Sequence, residues 1–468
     1  MFWHAIGYFP PRKATHPKIM KKQLFLLCAL SVFWTTATAQ SPAAGGAPLT
    51  LDDCMAYAVE HSHDVAQQDL ANANYRQDYI ESVASLVPSL GGSAGASTSF
   101  GRAADPETNT YTNTSSFNHS YGVSGSMVLF AGWSGINTMR AARVMRLMGI
   151  EELQRIRDEV ALRTMEAYID AVYYAEAARL AREQLAASTA QAEKGRRQLE
   201  LGLKSAADVA ELEARQASDD YLVTQQENNL ELARITLAER MNWPADRPLQ
   251  IDTRIRIDDP AVMDPYADVL AYALDHHPKA EVAAYEERQS RLRLAATRGR
   301  QYPSLSVGGG FSTNFFKNIE DWSLYASYAD QLRDNRSHYF SAQLSVPIFG
   351  GLARRTAVNR ARNNYRMAQQ RRQQTLRQIE SEVAQAYQQM QGTGKELVQA
   401  TRKSSAAELA YRAAEAKYDR GMISTFDLQT ASNNLLQARS ERLRARLQYI
   451  VKTRLVEYYN GRPLIRQQ

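Results

Sequence analysis

Only two cysteines occur in 468 residues, which excludes a disulfide-rich scaffold and a four-cysteine zinc site. No long apolar run follows residue 40, and mean hydropathy is −0.45, so a bundle of membrane-spanning helices is excluded. The sequence offers no P-loop, no G-x-G-x-x-G and no nucleophile–base pair, so catalysis has no support in it. Gly308-Gly309-Gly310 lies in a strand pattern, where a bend or close backbone approach accounts for it. What is present is ordinary for a folded protein: 44% hydrophobic and 23% charged residues, with a formal charge of +6.

Acidic residues are missing from one place in particular. Residues 1–39 hold five basic side chains (Arg12, Lys13, Lys18, Lys21, Lys22) and no acid, leaving a net +1 for the remainder. From Met20 this segment has a basic start, an apolar middle from Leu24 to Trp34, and small residues at Ala37-Thr38-Ala39. That is the layout of a secretory signal peptide, with Met20 as a possible true start. Cys28 would leave with it and Cys54 would remain as a lone thiol. The basic pI near 9.1 therefore belongs mostly to an export segment, and nothing argues for nucleic acid.

Beyond it the chain is duplicated. Met55–His61 (MAYAVEH) parallels Leu270–His276 (LAYALDH), and Pro88-Ser89-Leu90 parallels Pro303-Ser304-Leu305, both at an offset of 215 residues. Phe130-Ala131-Gly132 then matches Phe349-Gly350-Gly351, and Ala167-Tyr168 matches Ala386-Tyr387, at an offset of 219. The expected organisation is a first repeat over 40–242, a Pro-bearing linker over 243–264, a second repeat over 265–464 and a short tail, 465–468. Each repeat reads as a helix, two strands, a long helix, a turn and a second long helix.

The strands alternate with period two. Across Pro88–Phe100, Leu90, Ala94, Ala96 and Phe100 oppose Ser89, Ser93, Ser97 and Ser99. Across His119–Phe130, Tyr121, Val123, Met127 and Leu129 oppose serines. Pro303–Phe316 and His338–Phe349 repeat the pattern, separated by loops expected over Arg102–Asn118 and over Lys317–Arg336, which carries Trp322, Tyr325 and Tyr328. Ten to thirteen residues suffice for a tilted strand to cross a bilayer, yet four strands cannot close a barrel that needs about eight. If they span a membrane, the protein must oligomerise. Ser134–Glu200 reads as one helix of about 100 Å, with a seam at Leu153, Ile156, Val160, Ala167, Ala171, Tyr174, Ala178, Ala181 and Leu185. Leu376, Ile379, Val383, Ala386 and Met390 repeat the seam. Such a polar helix is a coiled-coil rod or a wall with water on both sides.

Two turns of the form G-x-x-S-x-x-D close the long helices: Gly202, Ser205, Asp208 and Gly421, Ser424, Asp427. The glycines stop one helix, the serines cap the next, and the aspartates complement cap and dipole. His61, His63, His276 and His277 suggest a metal, but only His61 and His276 are repeat-equivalent and a third ligand is missing, so none is expected.

Taken together, the duplicated helix–hairpin–helix plan, Ser345–Gly351 (SVPIFGG) and the paired turns resemble the TolC family of outer-membrane efflux proteins over Leu49–Leu464. The resemblance implies an α+β membrane protein of a Gram-negative bacterium: a trimeric outer-membrane β-barrel with four strands per protomer, continued by a long periplasmic α-helical barrel. It implies a passive exit duct of a tripartite efflux or type I secretion system, with no cofactor. Its partners would be two further copies, outer-membrane lipid, a periplasmic adaptor and an inner-membrane pump of RND or ABC type. It implies that Asp208, Tyr418 and Asp427 are tunnel-gate candidates, Tyr418 and Asp208 matching a Tyr–Asp closing pair. The basic residue of the family's second closing contact falls at Ile423. Asp427 matches one lumenal acidic ring and Thr430 replaces the other. The exposed turns around Gly202, Ser205, Gly421 and Ser424 match the family's adaptor contacts. A secreted coiled-coil scaffold or adhesin is the alternative, and it has no use for two hairpins of spanning length.

Overall fold

The structure, a computed structural model, describes residues 48–104, 111–254, 264–318 and 326–465. The export segment, part of the linker, residues 466–468 of the C-terminal tail, Trp322 and Tyr325 lie outside the described residues.

The first repeat opens with α1 (Leu51–Glu60) and α2 (His63–Ala84), followed by β1 (Ser89–Ala104), β2 (Tyr111–Ala131), α3 (Ser134–Glu200) and α4 (Ala206–Met241). The second has α5 (Tyr266–His276), α6 (Pro278–Gly299), β3 (Ser304–Asn318), the short α7 (Tyr328–Asp334), β4 (Ser337–Ser345), α8 (Ala353–Asp419) and α9 (Thr425–Tyr459). Two helices, not one, precede each pair of strands. Ser62 restarts the helix in the first repeat by accepting from the Val65 amide. In the second repeat His277 accepts from the Lys279 amide, and Pro278 sits where its missing N–H costs nothing.

The expected 67-residue helix is present from Ser134 to Glu200, and α8 is its equal in length. Near the middle of α3 the buried surface is wider than a coiled-coil stripe. Val160, Ala161, Thr164, Met165, Tyr168, Ile169 and Val172 are all buried, because α1 and α4 pack there from different sides. Met55, Leu237 and Met241 fill this core. A second one joins Val269 and Ala273 to Ile379, Val383 and Val456. The repeat-equivalent tyrosines tie the linker to these cores. Tyr168 donates to the Asp252 carbonyl at 2.5 Å, and Tyr387 to that of Asp264 at 3.4 Å.

The four strands form one antiparallel sheet in the order β1-β2-β3-β4. β1 and β2 run well into the expected loop over Arg102–Asn118: Arg102 pairs with Asn113 and Ser97 with Asn118. Thr- and Asn-rich segments keep pairing as strands once burial no longer demands an apolar face. β4, by contrast, ends at Ser345 and not at Phe349, since Pro347 has no N–H for the ladder. A bulge between Val128 and Phe130 shifts the phase, so that Phe130 instead of Leu129 lies opposite Leu305. α7 falls inside the second expected loop. It is held to β3 by the Thr313 hydroxyl donating to the Leu332 carbonyl at 2.6 Å.

At the strand–helix junctions, Gly132-Trp133 and Gly351-Leu352 all adopt left-handed backbone, with φ of 60°, 61°, 58° and 66°. These repeat-equivalent turns aim α3 and α8 away from the sheet. Beyond the turns the helices keep the strand order, with α2 beside α3, α3 beside α6 and α6 beside α8. Toward the far end, α4 pairs with α3, α9 with α8, and α9 touches α3.

Candidate functional site

The sheet has two chemically opposite faces, set by alternation and register. On one lie Leu90 and Phe100 of β1, Tyr121 and Val123 of β2, Val307 and Phe311 of β3, and Phe340 and Leu344 of β4. Many of these apolar groups are open to the outside; Leu90 is 81% exposed and Phe340 79%. The other face carries Ser93, Ser97 and Ser99, Ser120, Ser124 and Ser126, Ser304 and Ser306, and Ser341 and Ser345, interspersed with glycine and Asn118. Among its described side chains it has no charge, and Tyr339, Phe316 and Val128 are its large ones. Water solvates the second face well and hydrocarbon the first. Both outer strands, β1 and β4, have a free edge among the described residues.

At the opposite end of the molecule, two helical turns follow one template. Gly202 (φ 73°) ends α3, and the Leu203 amide reaches back to the Gln198 carbonyl at 2.7 Å. Gly421 (φ 70°) ends α8, and the Met422 amide reaches the Lys417 carbonyl at 2.9 Å. Only glycine adopts this backbone freely. Ser205 and Ser424 then cap α4 and α9. Asp208 Oδ2 accepts from the Ser205 hydroxyl at 2.7 Å and from its amide at 3.2 Å, and Asp427 Oδ2 accepts from Ser424 at the same two distances. The serine hydroxyl and amide bonds hold both carboxyls below the usual carboxylate range. Both aspartates are thus committed to full capping boxes.

Tyr418 is brought to Lys204, and not to Asp208, within one chain. The Lys204 ammonium donates to the Tyr418 hydroxyl and lies 4.7 Å from its ring centroid. Lys204 also contributes to the lowered pKa of Asp208, behind the two serine bonds, so it stands between the two gate candidates. Lys204 is the repeat counterpart of Ile423, so only one of the two turns carries a basic residue at this position. Sequence reasoning passed over it because a lysine beside a turn is ordinary. Further contacts sew the two helical hairpins together. Lys194 pairs with Asp419 at 2.8 Å, Gln184 donates to Ser432 at 2.6 Å, and Arg215 links Asp219 to Asn433.

The repeat-equivalent histidines are accounted for by stacking. His61 stacks on Tyr57 at 3.9 Å and His276 on Tyr272 at 4.6 Å, which are repeat-equivalent pairs. No group of three His, Cys, Asp or Glu side chains suited to a metal occurs among the described residues. Among them, too, no helix is long and apolar enough to cross a membrane.

Residues 269–455 match the family model of the outer membrane efflux protein. Over that stretch the chain is similar to the outer membrane efflux proteins. Solved structures share its fold over nearly its whole length. CusC is 17% identical with a TM-score of 0.74, covering 88% of this chain and 92% of its own. VceC from Vibrio cholerae is 15% identical at 0.72, covering 88% and 96%. The CmeC outer membrane channel of Campylobacter jejuni is 16% identical at 0.73, covering 89% and 87%. No curated protein matches the chain in sequence. Two of the solved structures that share its fold, CmeC and MtrE of Neisseria gonorrhoeae, are outer membrane channels.

Proposed function

We propose that three copies of this chain form a passive exit duct, each giving four strands to a twelve-stranded barrel whose helices continue as a periplasmic tunnel. The two-faced, open-edged sheet carries this reading. Its apolar face suits lipid, its serine face suits water, and only neighbours can satisfy the β1 and β4 edges. From Tyr121 to Phe130 an apolar strand rises roughly 30 Å; at a tilt near 40° that covers about 23 Å of depth, close to the ~25 Å band of outer-membrane barrels. The helices present the same kind of open arc, with α8 free at one side and α2 or α4 at the other. Tyr221, Leu232 and Ile235 on α4, and Val398 and Leu409 on α8, are exposed along those sides and suit contacts between copies.

In this reading residues 1–39 direct export and are removed, and the repeats 40–242 and 265–464 each supply half of every layer. An inner-membrane pump of RND or ABC type would energise transport through a periplasmic adaptor in a tripartite or type I assembly. The adaptor would meet the turns around Gly202, Ser205, Gly421 and Ser424. Asp208, Tyr418 and Lys204 would restrain the mouth, and three copies of Asp427 would favour cations there. No bond is made or broken. Outer-membrane fractionation with heat-modifiable electrophoresis tests the duct: an oligomer in the membrane fraction is expected. Recovery solely as a soluble periplasmic monomer would refute it in favour of a scaffold.

A further inference from the structure

Where the helices meet the sheet, the chain carries a band of arginine. Ser134–Arg146, at the start of α3, contains three arginines and no acid. Arg288–Arg300, at the end of α6, contains five and no acid, and Ala353–Arg362, at the start of α8, contains four and no acid. All twelve are exposed. Acids reach this level at the end of α2, Asp78 and Glu81, and at its far edge, where Glu286 and Glu287 precede Arg288 and Glu287 is taken up by Tyr365 and Arg372. Asp78 is the repeat counterpart of Arg293.

Further along the same helices, several cations are paired with acids within the protein. Arg155 pairs with Glu152 at 2.7 Å and Glu159 at 3.0 Å, Arg182 with Glu227 at 2.6 Å, and Lys403 with Glu441 at 2.6 Å. In the collar, none of the twelve arginines makes an ion pair among the described residues. The contacts they do make are with neutral groups: Arg146 over the Tyr79 ring, Arg300 with the Ser134 hydroxyl, and Arg362 with Asn359. Concentrating unpaired positive charge costs self-repulsion, which an external anion would relieve.

The position of the collar says which anion. Arg354 and Arg355 fall in the first turn of α8, and Arg298 and Arg300 lie four to six residues before β3 begins, so these four sit at the junction between the helices and the sheet. Exposed aromatics, Trp133, Tyr302 and Phe349, mark the same boundary, as amphipathic rings do at a membrane–water interface. We propose that this arginine collar binds the phosphate groups of anionic phospholipids in the periplasmic leaflet of the outer membrane. The proposal rests on the membrane-barrel reading above. Guanidinium is the cation suited to it, because its planar fork engages phosphate oxygens bidentately while the stem lies along apolar surface.

The test uses the full-length protein reconstituted in nanodiscs of phosphatidylcholine mixed equally with phosphatidylglycerol, with protein-bound lipid counted by native mass spectrometry. Enrichment of phosphatidylglycerol is expected, and it should collapse in molar salt. The combined variant R298Q/R300Q/R354Q/R355Q should lose about tenfold or more of that enrichment, since each basic residue near an anionic surface contributes roughly fivefold. The R298K/R300K/R354K/R355K variant should keep most of it. Insertion of the wild type with no lipid preference, or a preference indifferent to salt, overturns the proposal even if the glutamine variant does not fold. Unchanged phosphatidylglycerol binding in that variant, with anion permeability lost, places the arginines against the lumen and also overturns it. Failure of the wild type to insert overturns the duct itself and this proposal with it.

Discussion

Acid should loosen this protein through His277. The side chain is 6% exposed, packed against Tyr459 at 5.6 Å and Tyr458 at 5.4 Å, and its Nδ1 accepts the Lys279 amide at 3.1 Å. That bond requires an unprotonated Nδ1, so protonation removes the cap of α6 as well as burying a charge. Burial pushes the imidazole pKa down to about 4, with the Lys279 ammonium adding to the shift and the Glu382 carboxylate opposing it. Above pH 6.5 the group is neutral both folded and unfolded and contributes no pH dependence. Between about 6.5 and 4 the unfolded chain binds a proton that the folded chain refuses, so stability falls as pH falls. Each tenfold change in the proton equilibrium is worth about 1.4 kcal/mol, which sets a ceiling near 3.5 kcal/mol for the whole window. His277→Ser isolates the effect, because Ser62 performs the same capping in the first repeat without titrating in this range. Hydrogen exchange of α6 amides, followed from pH 7 to 4.5, should show protection falling in the wild type and nearly flat in the variant. Equal acid sensitivity in both proteins would refute the assignment.

Replacing Lys204 with Met, or Tyr418 with Phe, should raise single-channel conductance in planar bilayers by releasing the contact between the two hairpins; no change would mean that the contact does not restrain the mouth. Asp208→Asn keeps the shape of the capping box while removing the charge beside Lys204. Conductance unaltered by it would leave capping as the role of Asp208. Ser205→Ala should cost about 1 kcal/mol of local helix stability, read as faster exchange in the first turn of α4. Gly299 and Gly132 cross so closely that a Cβ on either meets the other's backbone. Gly299→Ala should therefore cost about 1–3 kcal/mol and lower the temperature at which the heat-modifiable band converts; an unshifted band would show that the crossing can relax.

Much of the fold was legible because its determinants are local and repeated. Period-two alternation assigned both sheet faces, since each side chain's face follows from its parity alone. The bulge at Leu129 was not legible, because it needs the partner strand to reveal the slip. Capping boxes at Ser205 and Ser424 could be read from three-residue spacing, as every atom involved lies within one turn. Strand ends went unread where Thr and Asn occupy both faces, and α7 went unread because seven residues give too short a period. Lys204 and Tyr418 lie 214 residues apart, so only folding brings them together. The arginine collar is three separate stretches until the junctions align them at one level.

The two repeats differ where charge matters and agree where backbone geometry does. Gly132 and Gly351, Trp133 and Leu352, Gly202 and Gly421 keep matching left-handed conformations, because a helix must start or stop there in either half. Ser62 faces His277, Asp78 faces Arg293 and Lys204 faces Ile423, and in each case the swap alters charge or titration while the local fold stands. A ring built from such halves has near-sixfold walls but threefold electrostatics. The mouth would then be restrained by three Lys204–Tyr418 contacts, not six, each joining unlike hairpins of one protomer. In that proposed trimer Lys204–Tyr418 is one of several contacts between the α3–α4 and α8–α9 hairpins, beside Lys194–Asp419, Gln184–Ser432 and Arg215–Asn433. Opening would therefore have to break the whole set in a protomer while the capping boxes that shape each turn stay intact.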